Sequence, residues 1–209
     1  MSGIQQMMLG GGASIPATPG QVEYVDFGIT DWIVPERVTS ICAVCIGAGG
    51  NGLQNSGNVY GGGGGGLAYK NNIAVVPGQT LRFYREESIE LINITTGNII
   101  LLSATNGQSG AGAPTGGGVG SNGDANFSGG GGTGGFGGVY PGGGAGTYTA
   151  NGATGAGTGT SLNGTTGGGS ICGAGGTSVY SGSPSLGGFG GIRVIWGAGR
   201  SYPSNAAAV

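Results

Sequence analysis

Short apolar runs separated by glycine, proline and polar turns dominate the first half of the chain. They either alternate with a period of two or are continuously apolar, and both patterns are typical of β-strands. The runs occupy residues 21–27, 31–35, 38–46, 67–76, 80–84, 88–94, 98–102 and, after a long gap, 192–196. Residues 38–46 are apolar on both faces after Ser40, which indicates a central strand covered on both sides. No segment shows a period of 3.6, so we expect almost no helix.

Turn signals between these runs predict how the strands connect. Residues 77–78 are Pro-Gly, the pair expected at the two central positions of a tight turn. Residues 95–97 form a short loop with glycine, which predicts a hairpin. The charged residues 85–87 predict a solvated hairpin end. Because the run 192–196 has no apolar partner nearby in sequence, we expect it to pair with the N-terminal sheet and to bury Trp196.

These elements predict an all-β fold, a small β-sandwich of about seven or eight short strands. A glycine-rich field, at about residues 105–191, is inserted before the last strand. We expect a single domain over residues 21–197, an N-terminal docking arm over residues 1–20 and a C-terminal tail over residues 198–209.

The glycine field lacks the side chains of a conventional core, although it holds more than half of the 57 glycines. It is either a flexible linker or a set of backbones packed closely enough for main-chain hydrogen bonds to order them. Extended polyproline-II-like segments have three residues per turn and no internal hydrogen bonds, so each can pair with several neighbours. Aromatic and aliphatic residues recur singly along the field and favour such ordered loop layers. Collagen is excluded, because glycine does not occupy every third position.

Charge is sparse and balanced, with six Lys and Arg against eight Asp and Glu, and the chain has no His. No basic patch is available to neutralise phosphates, so we expect no nucleic-acid partner. General bases and metal ligands are scarce, so we expect no enzymatic activity, no cofactor and no metal.

The cysteines and the N-terminal residues exclude further classes of protein. Cys42 and Cys45 have C-x-x-C spacing, but residues three apart in a strand point to opposite faces, so we interpret both as small buried hydrophobes. Residues 1–12 have neither a basic region nor a continuous apolar region, so no secretory signal is predicted. No run reaches the roughly 18 apolar residues of a membrane span, so we expect no membrane insertion.

Six separated motifs follow one another along the chain. They are Trp32-Ile33-Val34-Pro35, Val38-Thr39-Ser40-Ile41, Gly66-Leu67-Ala68-Tyr69, Ile73-Ala74-Val75-Val76-Pro77-Gly78-Gln79-Thr80, Gly191-Ile192-Arg193-Val194-Ile195-Trp196-Gly197 and Gly199-Arg200-Ser201-Tyr202-Pro203-Ser204. In this order they resemble the glycine-rich domain of tail fibre and receptor-binding proteins of tailed bacteriophages, particularly phages of marine bacteria. The chain departs from that pattern at residues 84–88, which are charged.

The resemblance implies a virion protein at the tail fibre or another peripheral appendage, made in the host cytoplasm and assembled as a homotrimer. Its expected role is that of an adhesin that binds a host cell-surface glycan or outer-membrane protein. Aromatic rings beside hydroxyl and amide groups suit such surfaces, since they combine apolar area with directional hydrogen bonds. The candidate receptor-binding residues are Asn122, Asp124, Phe136, Tyr140 and Tyr148. For each of them, the alternative and commoner role is to pin neighbouring glycine layers.

Docking to other virion tail or fibre proteins is assigned to the N-terminal arm, whose apolar side chains have no local partner. The candidate docking residues are Ile4, Met7, Met8 and Leu9. Two other functions stay open. A virion decoration or collar fibre would share the fold and lack receptor affinity, and an ice-binding or matrix protein would use glycine-rich bundles. The absence of a predicted secretion signal and of a disulfide framework argues against the last of these.

Overall fold

The computed structural model describes residues 16–55, 57–110, 115–162, 170–179, 183–207 and 209. These residues form strands and turns, with no helix among them. The strands in chain order are β1 (Gly20–Val25), β2 (Gly28–Ile33), β3 (Ser40–Ile46), β4 (Leu53–Asn55), β5 (Asn58–Tyr60), β6 (Leu67–Ala74), β7 (Thr80–Arg85), β8 (Ser88–Asn93), β9 (Ile99–Thr105), β10 (Gly120–Ser121), β11 (Ala125–Phe127), β12 (Gly134–Phe136), β13 (Val139–Tyr140), β14 (Thr160–Ser161), β15 (Ile171–Cys172), β16 (Ser178–Val179) and β17 (Gly191–Trp196).

Two antiparallel five-stranded sheets pack face to face. The first sheet has the order β1-β17-β3-β6-β11, and the second has the order β10-β9-β8-β7-β2. The buried core between them includes Ile41, Ala43, Cys45, Ala68, Ile192 and Val194 from the first sheet and Leu81, Phe83, Ile89, Leu91, Leu102 and Ala104 from the second. The expected all-β sandwich is therefore confirmed.

The last strand completes the first sheet. β17 lies between β1 and β3, and Ile192 of β17 is paired with Cys45 of β3. The prediction that residues 192–196 pair with the N-terminal sheet is confirmed. Trp196 is partly buried and packs against the core between the sheets. It lies at the open end of the sheet, where its ring packs on Trp32 with centroids 5.5 Å apart.

Both turn predictions are confirmed. Gly78 has a φ of +82°, and the amide of Gln79 donates to the carbonyl of Val76 at 3.0 Å, as in a tight turn with glycine at the third position. β8 and β9 pair antiparallel across the loop at residues 94–98.

The prediction of a solvated hairpin end at residues 85–87 is wrong for Arg85. Its side chain is buried, donates to the carbonyl of Asp26 at 3.1 Å, and lies 5.0 Å from the ring centroid of Tyr24. The ring and the backbone acceptors replace water around the guanidinium. Burial lowers the pKa of Arg85 from its usual range.

β3 is covered on both faces, as predicted. Cys45 faces the core between the sheets, whereas Cys42 faces the outer side of the first sheet. A second buried cluster covers that outer side. Its members are Cys42, Val44, Ile46, Leu67, Tyr148, Leu162, Cys172, Ile195, Tyr202 and Ala206.

The C-terminal segment belongs to this second cluster and is not the tail expected from residue 198 onward. Tyr202 and Ala206 are buried. Arg193 is also fully buried, and it donates to the carbonyls of Leu162 and Ala206. Because a buried guanidinium needs its hydrogen bonds satisfied, Arg193 holds the C-terminal segment against the sheet.

Glycine segments extend from the end of the sandwich where β3 ends and β6 begins. We call them the glycine bundle, which comprises residues 47–50, 61–66, 105–108, 115–118, 129–133, 141–146, 152–157, 173–176 and 187–190. Residues 61–66 lie at its centre. Successive amides donate to carbonyls of three different segments, 129–133, 173–176 and 105–108, and then the order repeats, with distances of 2.7–3.1 Å. The carbonyls of residues 62–66 accept from the segments 141–146, 47–50 and 115–118.

The partners of this central segment repeat every third residue. A repeat of three, with every hydrogen bond made to a neighbouring segment, is characteristic of extended polyproline-type glycine chains. Side chains have no space here: a Cβ added at residues 62–65 would lie under 3.0 Å from a neighbouring carbonyl oxygen. Glycine is therefore required by close backbone approach, and the bundle is ordered by main-chain hydrogen bonds.

Candidate functional site: the tip of the glycine bundle

The tip is the end of the glycine bundle farthest from the sandwich. Residue 66 adjoins β6, and residue 61 lies five residues further out, roughly 15 Å away at a rise of ~3.1 Å per residue. We define the tip as residues 51–55, 57–60, 134–140, 177–179 and 183–186.

Short strands pair at the tip. β4 and β5 form a hairpin, and β12 adds to β5 to give a three-stranded sheet. β13 pairs with β16 alongside. These ladders satisfy backbone groups that loops alone would leave to water, so the tip has a defined shape.

Four large apolar side chains are exposed at the tip, and we call them the tip patch. The exposed fractions are 39% for Leu53, 75% for Phe136, 66% for Val139 and 80% for Leu186. Single exposed apolar residues are normal on protein surfaces, but several on one small surface are typical of an interaction site.

Hydrogen bonds bring the segments of the tip patch together. The amide of Gly52 donates to the carbonyl of Ser185 at 3.0 Å, so the segments that carry Leu53 and Leu186 are neighbours. The hydroxyl of Ser178 donates to the carbonyl of Leu53 at 3.0 Å and links β4 to β16.

Phe136 and Tyr140 lie on the β12–β13 side of the tip. The hydroxyl of Tyr140 donates to the carbonyl of Gly137 at 3.4 Å, which holds the turn between the two strands. The Phe136 ring packs beside Gly57, where an added Cβ would lie 3.1 Å from it. Of the five predicted receptor-binding residues, these two are therefore brought together at the tip.

Asn122 and Asp124 lie elsewhere, in the turn between β10 and β11 beside the sandwich. A carboxylate oxygen of Asp124 accepts from the amide of Asn71 at 2.8 Å, and the Asp124 amide donates to the carbonyl of Tyr69 at 2.9 Å. Asn122 has a φ of +62° in this turn. Both side chains are exposed, but they are not part of the tip.

Tyr148 is buried, which corrects its assignment as a receptor-binding residue. Its hydroxyl donates to the carbonyl of Ser161 at 2.9 Å, and its ring stacks on Tyr202 with centroids 5.9 Å apart. The ring thus covers the outer face of the first sheet, which is the alternative, structural role.

Sequence reasoning missed Leu53, Val139 and Leu186. Leu53 and Leu186 are each a single large apolar residue within a run of small and polar residues, and that isolation is the signal that could have identified them. Val139 directly precedes Tyr140, a predicted binding residue. The predicted binding residues were aromatic or polar, although a branched aliphatic side chain also offers a large area for contact.

The tip and the glycine bundle carry no charge. The sequence has no Asp, Glu, Lys or Arg in residues 38–69, 91–123 or 125–192. The chain enters the described structure at the opposite end, since residue 16 precedes β1, whose Gly20 is paired with Trp196 at the open end of the sheet. The candidate docking residues Ile4, Met7, Met8 and Leu9 lie outside the described residues.

The three cysteines are free and buried, so they offer no accessible site. Burial raises the pKa of Cys172 to about 12 and that of Cys45 well above its usual value, which keeps both thiols protonated near neutral pH. Within the described ranges, no group of three or more Cys, Asp or Glu could hold a metal ion. None of the described segments is a helix long and apolar enough to cross a membrane.

Comparison with protein families and with curated proteins gives no match: no family model fits the chain, and no curated protein aligns with it.

Proposed function

We propose that this protein is an adhesin of a bacteriophage tail fibre or other peripheral appendage, and that the tip patch binds the host surface. The main support for the proposal is the tip patch. It consists of four exposed apolar side chains at the uncharged end of the closely packed glycine bundle. The six motifs that resemble phage receptor-binding proteins supply the biological setting.

The construction of the bundle supports this role. A binding surface held by main-chain hydrogen bonds loses little conformational entropy when it binds, because its backbone is already ordered. Phe136 and Tyr140 keep their proposed roles in binding, and Leu53, Val139 and Leu186 join them. The exposed residues Asn122 and Asp124 would act only in a second contact at the side of the sandwich.

The end of the sandwich at which the chain enters also fits attachment of the protein to a virus particle. The chain enters at the end of the sandwich opposite the tip. An N-terminal arm that docks to other virion proteins, as expected for residues 1–20, would therefore leave the tip facing away from the particle.

The chemistry of the tip favours an outer-membrane protein over a charged glycan as the partner. Apolar side chains gain free energy by burial against another apolar surface, whereas an anionic saccharide needs basic groups that the tip lacks.

The test is binding of labelled protein to a panel of bacterial strains, followed by comparison of variants on any strain that binds. Phe136→Ser combined with Leu186→Ser should reduce binding at least tenfold. Val76→Ser is the matched control, since Val76 is equally exposed but lies in the turn after β6, at the opposite end of the sandwich. Equal binding by the tip variant and the control would contradict the proposal.

The alternatives give different results in the same assay. A decoration or collar protein would bind no strain while still being found on particles by electron microscopy. An ice-binding protein would bind no strain and would change the growth of ice crystals.

A further inference from the structure

A cleft of about 890 Å³ lies at the end of the sandwich opposite the tip. It opens where β3 begins and β17 ends. Cys42 and Ile195 are the last paired residues of these two strands at that end, and residues 37–40 and 197–201 beyond them line the cleft. We call it the arginine cleft, because Arg37 and Arg200 both line it. Its volume lies in the range of small-molecule binding sites.

The two arginines keep hydrogen-bond donors for a ligand. Arg37 is exposed, and its guanidinium donates to no described residue. The guanidinium of Arg200 donates to the carbonyls of Gly20 and Ala207 and to the side chain of Gln21. These bonds use three of its five N–H groups, so two remain. Burial and the charge of a neighbouring arginine lower the pKa of Arg200, and an added anion would offset both effects.

The chain itself leaves this positive charge without a carboxylate partner. No acidic side chain lines the arginine cleft, and among the described residues neither guanidinium has an ion pair. Glu36 lies on an adjoining groove that shares Arg37, and Asp124 acts on Cys42 in the cleft wall while it accepts from the amide of Asn71. With Glu36 counted, the two guanidiniums still leave a positive excess. All eight acidic residues lie in the described ranges, so no other segment supplies the missing carboxylate.

The backbone at the rim of the cleft is held in an uncommon conformation. Arg37 has a φ of +66°, and Asn72 on the opposite rim has a φ of +53°. A positive φ is uncommon outside glycine, least so for asparagine, and strained residues of this kind cluster at ligand-binding sites. The conformation of Arg37 therefore supports a binding role for this rim.

The remaining polar groups of the cleft are neutral hydroxyls and amides. They belong to Thr39, Ser40, Asn72, Ser201 and Asn205. None of these five side chains makes a hydrogen bond to another described residue. Hydroxyl and amide groups both donate and accept, as sugar hydroxyls do. Arginine matches the planar oxygens of a carboxylate. The two sets of groups together therefore fit a sugar that carries a carboxylate.

We propose that the arginine cleft binds an acidic saccharide. Arg37 and the free donors of Arg200 hold its carboxylate, and the neutral side chains of the lining hold its hydroxyls. The cleft lies at the other end of the molecule from the tip. The proposal therefore uses none of the tip residues and does not depend on the proposed function.

The test is an NMR titration of the full chain with glucuronate, glucose and acetate at constant ionic strength. Glucuronate should shift the amides of residues 37–40 and 197–201 in a saturable way. It should bind at least tenfold more tightly than either glucose or acetate, because only glucuronate carries both the carboxylate and the hydroxyls.

Arg37→Gln is the decisive variant, since this exposed side chain has no bond in the fold to lose. It should weaken glucuronate binding by about tenfold, as expected for the loss of one charge-assisted hydrogen bond. Arg82→Gln is the matched control, because it removes the same charge from the second sheet and should leave the affinity unchanged. Thermal unfolding checks that both variants are folded.

Three results would overturn the proposal. The first is an affinity for glucuronate no higher than that for acetate, which would reduce the site to a bare charge effect. The second is equal loss of binding in Arg37→Gln and Arg82→Gln. The third is tighter binding of triglutamate than of glucuronate at the same amides, which would indicate an acidic protein segment as the partner.

Discussion

Gly65 lies so close to Gly47 that a Cβ added to Gly65 would sit well under 3.0 Å from the Gly47 carbonyl oxygen. The amide of Gly65 donates at 2.8 Å to Gly173, and its carbonyl accepts at 2.9 Å from Gly146. One residue thus contacts three other segments of the bundle, and none of them can move without breaking its own hydrogen bonds.

We therefore expect Gly65→Ala to destabilise the protein by about 3 kcal/mol or more, because it forces apart closely packed backbones. Gly116→Ala is the matched control in the same bundle, since the nearest atom there is the flexible end of the Gln108 side chain at 3.3 Å. Urea unfolding measures both. Equal stability of the two variants would show that the bundle is looser than described.

β17 should be essential for folding. Ile192 is fully buried between the sheets, and Ile192→Ala should lower the free energy of unfolding by about 2–5 kcal/mol. Ile171→Ala, at an exposed strand position, should change it by less than ~0.5 kcal/mol. Deletion of residues 192–209 should abolish folding, because it removes a central strand. A soluble truncated chain that melts cooperatively would contradict this prediction.

Arg193 should hold the C-terminal segment in place. Arg193→Leu should destabilise the fold by roughly 3–5 kcal/mol, because it leaves the Gln21 side chain and the Glu23 carboxylate without their buried partner. It should also make residues 200–206 susceptible to limited proteolysis. Arg82→Leu breaks an exposed pair and should have a much smaller effect on stability. Resistance of residues 200–206 to proteolysis in Arg193→Leu would argue against this role.

Stability should fall at alkaline pH. Burial raises the pKa of Cys172 to about 12 and raises that of Tyr202 above its usual range, so the folded chain keeps protons that the unfolded chain releases from about pH 8.5 and 10. The stabilisation is complete below those values and is lost as the pH rises. The urea midpoint between pH 7 and 11 measures this loss, and Cys172→Ala should make it shallower. A midpoint independent of pH over this range would refute the linkage.

Binding through the tip should be nearly independent of salt. The tip carries no charged side chain, so screening between 50 and 500 mM NaCl has no ion pair there to weaken. The measurement is the affinity for a bacterial strain that binds the protein. An affinity that falls tenfold over this range would place the contact on the charged sandwich instead, near Asp124 or Lys70.

The sandwich could be predicted from the sequence, because the alternation of apolar and polar residues indicates which side chains of a strand are buried, and turn residues indicate where the strands end. β3 and β17 are examples: the apolar pattern of β3 identified a central strand, and that of β17 predicted that it pairs with the N-terminal sheet. Burial of Arg85 could not be predicted, since it depends on Tyr24 from a distant strand. The burial of Tyr148 and Tyr202 likewise depends on long-range packing.

The arrangement of the glycine bundle could not be predicted for a different reason. Side chains specify register between strands, and glycine has none. The sequence favoured order but gave no information on which segments neighbour residues 61–66. Only Phe136 of the four tip-patch residues was therefore identified from the sequence, since the composition of the patch depends on which segments end together.

Backbone hydrogen bonds within the glycine bundle hold the tip in place. Amide hydrogen exchange of residues 61–66, followed by NMR, tests this most directly. We expect exchange at least a thousandfold slower than in a random coil, comparable with that of β3, while the exposed turn at residues 95–98 exchanges fast. Random-coil exchange rates at residues 61–66 in a protein whose β3 amides are protected would contradict the account.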